Sequence, residues 1–270
     1  MKRTNITLLA AALCLLAIGC NRQPKEFSYH TYKGERSWQI DLDDSTTSWV
    51  TNSYELQWPD KGCLSATAER ELLKAVFGSY AGGDIHRSCE NFLNSQGLLD
   101  DAEDTHYPCY QVDAVPDTIE HTEQQINVFC ESTDRLATVT VTSYIFPQGA
   151  AHGSYDIMPI VFDRQSGERI HLEDIVDTNQ LGHIVARAID RLPANSDVKE
   201  CLFDEFVGLQ SMPVSKVFTI NDAMDTVRLV YGLYWLTPYA CGIQEVALPV
   251  AMLRENMALT DRGQKLFAGE

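Results

Sequence analysis

The stretch Ala137-Thr138-Val139-Thr140-Val141-Thr142 alternates small or β-branched apolar residues with threonines. No other segment restricts the fold as much. A period of two sends alternate side chains to opposite faces of a strand, and β-branching favours the pleated backbone. A strand needs partners, and the surrounding sequence supplies them. Ile126-Asn127-Val128-Phe129-Cys130 precedes it; 155–162 and 169–172 follow, joined by the turn sequence Arg164-Gln165-Ser166-Gly167. Phe27-Ser28-Tyr29-His30-Thr31-Tyr32 and Tyr54-Glu55-Leu56-Gln57-Trp58 repeat aromatic residues at the same period, and 216–220, 227–235 and 243–250 read as closing strands.

Helices are expected where the period lengthens. Residues 65–78 carry Leu72, Leu73, Val76 and Phe77 on one stripe, and Asp84 caps a second helix through Ile85, Cys89, Phe92 and Leu93, stopped by Gly97. Leu181, Ile184, Val185, Ala188, Ile189 and Leu192 give the cleanest stripe, ended by Pro193, and a shorter helix is expected over 198–207. The acidic, proline- and tyrosine-containing stretch 100–117 reads as a long loop held by Cys109. Because strands and helices come in blocks, the expectation is an α+β fold with mixed, mostly antiparallel sheets, packed helices and two subdomains stabilised by disulfides.

The chain opens with Lys2 and Arg3, then an almost continuously apolar run from Ile6 to Ile18, the pattern of an export signal too short to remain as a spanning helix. Ala17-Ile18-Gly19-Cys20 resembles the lipobox of bacterial lipoproteins, with Ala17 where leucine is usual. The resemblance implies cleavage before Cys20 and acylation of that cysteine, which anchors a protein to a membrane without a transmembrane helix. The expected organisation is a signal peptide (1–19), a lipidated tether (20–26), an N-terminal α+β part (27–148), a second α+β part (149–258) and a tail (259–270). The expected address is the cell envelope, facing the periplasm.

A net charge of −17 argues against nucleic-acid binding and favours cationic partners, though acidity also serves plain solubility. With Cys14 lost and Cys20 lipidated, Cys63, Cys89, Cys109, Cys130, Cys201 and Cys241 remain. An even set in an exported chain points to disulfides, and their division between the two parts favours Cys201 with Cys241. No CxxC ladder is present, so neither a thiolate metal site nor another cofactor is expected.

Gly149-Ala150-Ala151-His152-Gly153, the later run from Phe162 through Asp163-Arg164-Gln165-Ser166-Gly167 to Ile175, and the ending Leu236-Thr237-Pro238-Tyr239-Ala240-Cys241-Gly242 through Pro249 together resemble the RsiV/PdaC C-terminal-type domain. That family comprises extracytoplasmic modules, including a lysozyme-sensing anti-sigma factor and the non-catalytic part of a peptidoglycan deacetylase. The resemblance implies a non-catalytic envelope-binding role toward lysozyme or peptidoglycan. It does not extend to signalling or deacetylation, because no cytoplasmic sigma-binding segment and no deacetylase metal motif accompany it.

The candidate binding residues are His152, Tyr155, Tyr234, Trp235 and Tyr239. Aromatic faces stack on sugar rings or anchor protein interfaces, although alternate members of a strand that includes Tyr231 belong to the core. His152 between glycines reads as a turn residue bonded to nearby backbone, with an acid–base or metal site shared with Glu168, Glu173 and Asp174 as the alternative. No G-x-S-x-G, H-E-x-x-H or phosphate-loop motif occurs. A carboxylate-dependent hydrolase of envelope glycans and a structural or assembly partner are the competing functional readings.

Overall fold

A computed structural model describes residues 26–42, 46–96, 108–116 and 119–268. The expected signal peptide, Cys20, nearly all of the tether, Gly97 and half of the loop over 100–117 lie outside the described residues. The fold is α+β. Strands β1 (Tyr29–Asp41) and β2 (Thr47–Pro59) make a long antiparallel ribbon. Next come β3 (Cys109–Val112), β4 (Thr122–Ser132), β5 (Leu136–Phe146), β6 (Ser154–Asp163) and the short β7 (Arg169–Ile170). These seven build one sheet in the order β3-β1-β2-β4-β5-β6-β7, antiparallel except where β2 meets β4. The parallel step is made possible by the chain between β2 and β4, which contains helices α1 (Ala66–Phe77) and α2 (Ile85–Leu93).

Both helices begin as the sequence indicates. Ser65 accepts from the Ala68 N–H and Asp84 from the Arg87 N–H, satisfying donors that a helix start leaves open. Their apolar stripes cover one face of the sheet, so Leu72, Leu73, Phe77 and Phe92 pack on Leu56, Val128, Val139, Ile160 and Phe162. Among the described residues the opposite face is covered at one end, where Leu136 and Val161 join a second core with Leu181, Ile184, Leu229 and Tyr231. This explains Ile160-Val161-Phe162, buried on both sides and continuously apolar where the rest of the sheet alternates. The division expected at 148/149 falls in the turn between β5 and β6, two paired strands that feed both cores.

The second core is built by α3 (Leu172–Ile175), α4 (Leu181–Arg191), α5 (Asp197–Cys201) and the antiparallel sheet β8 (Phe218–Ile220), β9 (Thr226–Tyr231) and β10 (Gln244–Pro249). It is completed by α6 (Val250–Glu255) and α7 (Asp261–Ala268). Four local expectations change. Cys109 starts an edge strand on β1 rather than holding a loop, because its backbone pairs with Ile40. The strand expected over 169–172 stops at Ile170, where His171 and Asp174 form a capping box for α3. The helix expected over 198–207 divides into α5 and a 3₁₀ turn at Asp204–Phe206. Within the expected tail, α7 packs so closely that a Cβ on Gly263 would stand 2.1 Å from the Ile175 carbonyl oxygen.

Candidate functional site

Three glycine-containing segments gather the aromatic residues singled out from the sequence. The first is the turn into β6. Gly149 takes a φ of +77°, and at Gly153 a Cβ would lie 2.5 Å from the Tyr144 ring. Only hydrogen fits there, so Tyr144 lies across the backbone of its neighbouring strand, a cross-strand aromatic cover over glycine. The Gly153 carbonyl accepts from the Tyr239 hydroxyl at 2.7 Å and from the His152 Nδ1–H at 2.9 Å. A carbonyl oxygen can only accept, so Nδ1 is the donor in that second bond.

The second segment follows β9. Tyr231 ends the strand fully buried, its hydroxyl donating to the Pro213 carbonyl at 2.9 Å, and burial pushes its ionisation well above the usual tyrosine range. The strand expected to run to residue 235 breaks here. Gly232 is followed by a turn in which the Trp235 N–H reaches the Gly232 carbonyl, and Tyr234 adopts a left-handed φ of +61°. A bulky aromatic residue in that region costs about 1–3 kcal/mol unless its surroundings impose it. The outcome is exposure: Tyr234 is 59% and Trp235 41% accessible, with Trp235 leaning edge-on against Tyr231 at 5.3 Å.

The third segment is the 3₁₀ turn Tyr239–Cys241, pinned from below by the Cys201–Cys241 disulfide, whose Cα atoms are 6.3 Å apart. This is the pairing expected from the division of cysteines. Cys63, Cys89 and Cys130, expected to pair as well, are instead thiols. Burial pushes Cys89 up to about 11 and Cys130 up to about 12, the latter helped by neighbouring Cys63, so both stay protonated at neutral pH.

Tyr239 is the centre of the resulting cluster. His152 stacks on it at 4.1 Å with 27° between ring planes, Tyr234 tilts beside it at 5.8 Å, and Tyr155 meets it edge-on at 6.4 Å. Gly242 takes a φ of +70°, and a Cβ there would stand 3.1 Å from the Tyr155 hydroxyl. His152, Tyr155, Tyr234 and Tyr239 thus form one surface platform, with Trp235 on the same turn. Glu168, Glu173 and Asp174 do not join His152: Glu168 lies in the β6–β7 turn, and Asp174 caps α3 and pairs with Arg262 at 3.0 Å. Tyr144, which supports the platform, was not singled out from the sequence. Its outward position follows from the alternation of β5, but its place across Gly153 depends on tertiary register.

No family model and no curated protein matches this sequence. Solved structures do. A crystal structure of a DUF3298 family member from Bacteroides fragilis is similar over 92% of this chain and 98% of its own, with 13% identity and a TM-score of 0.60. A DUF3298 family protein from Pseudomonas aeruginosa is similar over 89% of this chain and 97% of its own, with 17% identity and a TM-score of 0.52. At these identities the likeness is one of fold, and the structural neighbours belong to a family named as a domain of unknown function.

Proposed function

We propose that this chain is a lipid-anchored, non-catalytic binding module of the cell envelope, of the RsiV/PdaC C-terminal type, whose aromatic platform recognises saccharide units of peptidoglycan. One observation carries the reading: Tyr234 is held in a strained backbone conformation that places a large ring in solvent beside the Tyr239–His152 stack. Exposed aromatic surface is costly to maintain without a partner, and strain located there is a mark of function. Stacked rings with hydroxyl and imidazole edges suit sugar rings, which offer apolar C–H faces and polar rims. The lipobox-like Ala17-Ile18-Gly19-Cys20 supports the anchored address.

Titration of the protein with soluble peptidoglycan fragments tests the ligand. Binding is expected, with Tyr234→Ala weakening it roughly tenfold, on the scale of losing one stacked aromatic contact. Lysozyme belongs in the same experiment because the net charge of −17 suits a cationic protein. Lysozyme binding that survives Tyr234→Ala, with no response to fragments, assigns the protein to that partner instead; binding to neither removes the proposal. For the address, Cys20→Ser is expected to move the protein from the membrane to the soluble fraction.

A further inference from the structure

Beyond the platform, the same face of the large sheet continues as a trough. Alternation on β5 sends Thr138, Thr140, Thr142 and Tyr144 outward, and the strand register sets Tyr144 between Gln125 and Tyr155, Thr142 beside Asn127, and Thr140 beside Phe129. Phe129 is 47% accessible although it sits in the middle of a central strand. At the far end the small sheet β8–β10 rises over this face, leaving a groove of about 560 Å³ between the two. One wall carries Glu131, Thr138 and Thr140; the other carries Thr219, Arg228 and Glu245. Because Gly242, just before β10, lies so near the Tyr155 hydroxyl that a Cβ there would stand 3.1 Å from it, the second wall starts at the platform and continues into the groove. From Tyr144 to Thr138 the strand covers about 20 Å at the usual rise per residue.

We propose that this trough binds an extended oligosaccharide of neutral or amino sugars, running from the Tyr234–Tyr239 platform past Phe129 to Arg228. The inference rests on the saccharide reading of the platform and adds its length and charge preference. A single sugar ring would be served by the platform alone, whereas a second exposed aromatic residue beyond a row of hydroxyls and amides repeats the same chemistry farther along. The groove carries Glu131, Asp222 and Glu245 against one Arg228, an acidic lining that repels uronate or phosphate polymers and tolerates free amino groups. Arg228 and the threonines supply hydrogen-bond donors to sugar hydroxyls without adding net positive charge.

The experiment is calorimetric titration of the protein with N-acetylglucosamine oligomers from disaccharide to hexasaccharide, alongside glucosamine and uronate oligomers of equal length. Affinity is expected to rise roughly tenfold or more from the disaccharide to the hexasaccharide, with uronates the weakest. Phe129→Ala and Arg228→Ala should weaken the hexasaccharide and leave the disaccharide unchanged, while Tyr234→Ala weakens both. Equal affinity for short and long oligomers, or hexasaccharide binding unaffected by Phe129→Ala and Arg228→Ala, overturns the trough and leaves the platform intact. Binding of no saccharide removes both. Tighter binding of polylysine than of any oligomer, weakened in Glu131→Gln and Glu245→Gln, assigns the trough to a cationic chain and overturns the proposal.

Discussion

The two faces of the seven-stranded sheet use the same strands for opposite ends. On the helix-covered face, Leu56, Val128 and Val139 are fully buried, and Tyr54 closes over Gly34, where a Cβ would lie 2.6 Å from its ring. On the other face Tyr144 closes over Gly153 in the same way, but the rings that follow it, Tyr155, Tyr239 and Tyr234, lead outward. An aromatic ring over a glycine therefore finishes a core in one place and founds a surface in the other. The difference lies in what covers the face: α1 and α2 lie across the first, while among the described residues the second is covered at one end.

The contrast can be broken by substitutions that separate stability from binding. Leu56→Ala, on the covered face, is expected to cost about 2–5 kcal/mol, measured by urea unfolding, with ligand affinity unchanged in the folded fraction. Gly153→Val drives a side chain into Tyr144 and is expected to cost about 1–3 kcal/mol while also abolishing platform binding; a fully stable variant would show that the glycine is dispensable. On the covered face the thiols with raised ionisation predict an alkaline weakness. A thiol raised from 9.0 to about 12 at Cys130 holds its proton more tightly folded than unfolded. Its contribution is therefore complete below pH 9 and is lost as pH rises toward 12, at a slope of up to about 1.4 kcal/mol per pH unit. Cys130→Ala should flatten that slope in unfolding curves taken across the range. Tyr234→Gly relieves a left-handed backbone and is expected to raise stability by up to about 1 kcal/mol while losing saccharide binding. Phe129→Ala, on the open face, should stay within about 0.5 kcal/mol of the parent in stability.

The sequence made the sheet legible wherever alternation was clean, as in residues 137–142, and the helices wherever a cap preceded a stripe, as at Ser65 and Asp84. It understated β1 and β2. Lys33, Gly34, Glu35 and Arg36 look like a break, yet they continue the ribbon, with Lys33 paired to Glu55 at 2.8 Å across the strands. It also overstated β9, because Leu233, Tyr234 and Trp235 are good strand formers whose left-handed turn depends on tertiary packing. The aromatic members of the platform stood out by residue type. The groove did not, since Thr140 and Arg228 come together only when β5 and the small sheet are packed.

The ribbon also decides which pole of the domain is free. Tyr29 pairs with Pro59 at one end of β2, whereas Ser53 lies in the row that passes through Gln125 and Tyr144 to Tyr155. The intervening stretch of β2 spans about 20 Å. An attachment made ahead of Phe27, whether a lipid, a bead or a fluorescent fusion, thus joins the described fold at the pole away from the Tyr234–Tyr239 platform, which makes that side the natural handle for immobilising the protein with its platform unobstructed.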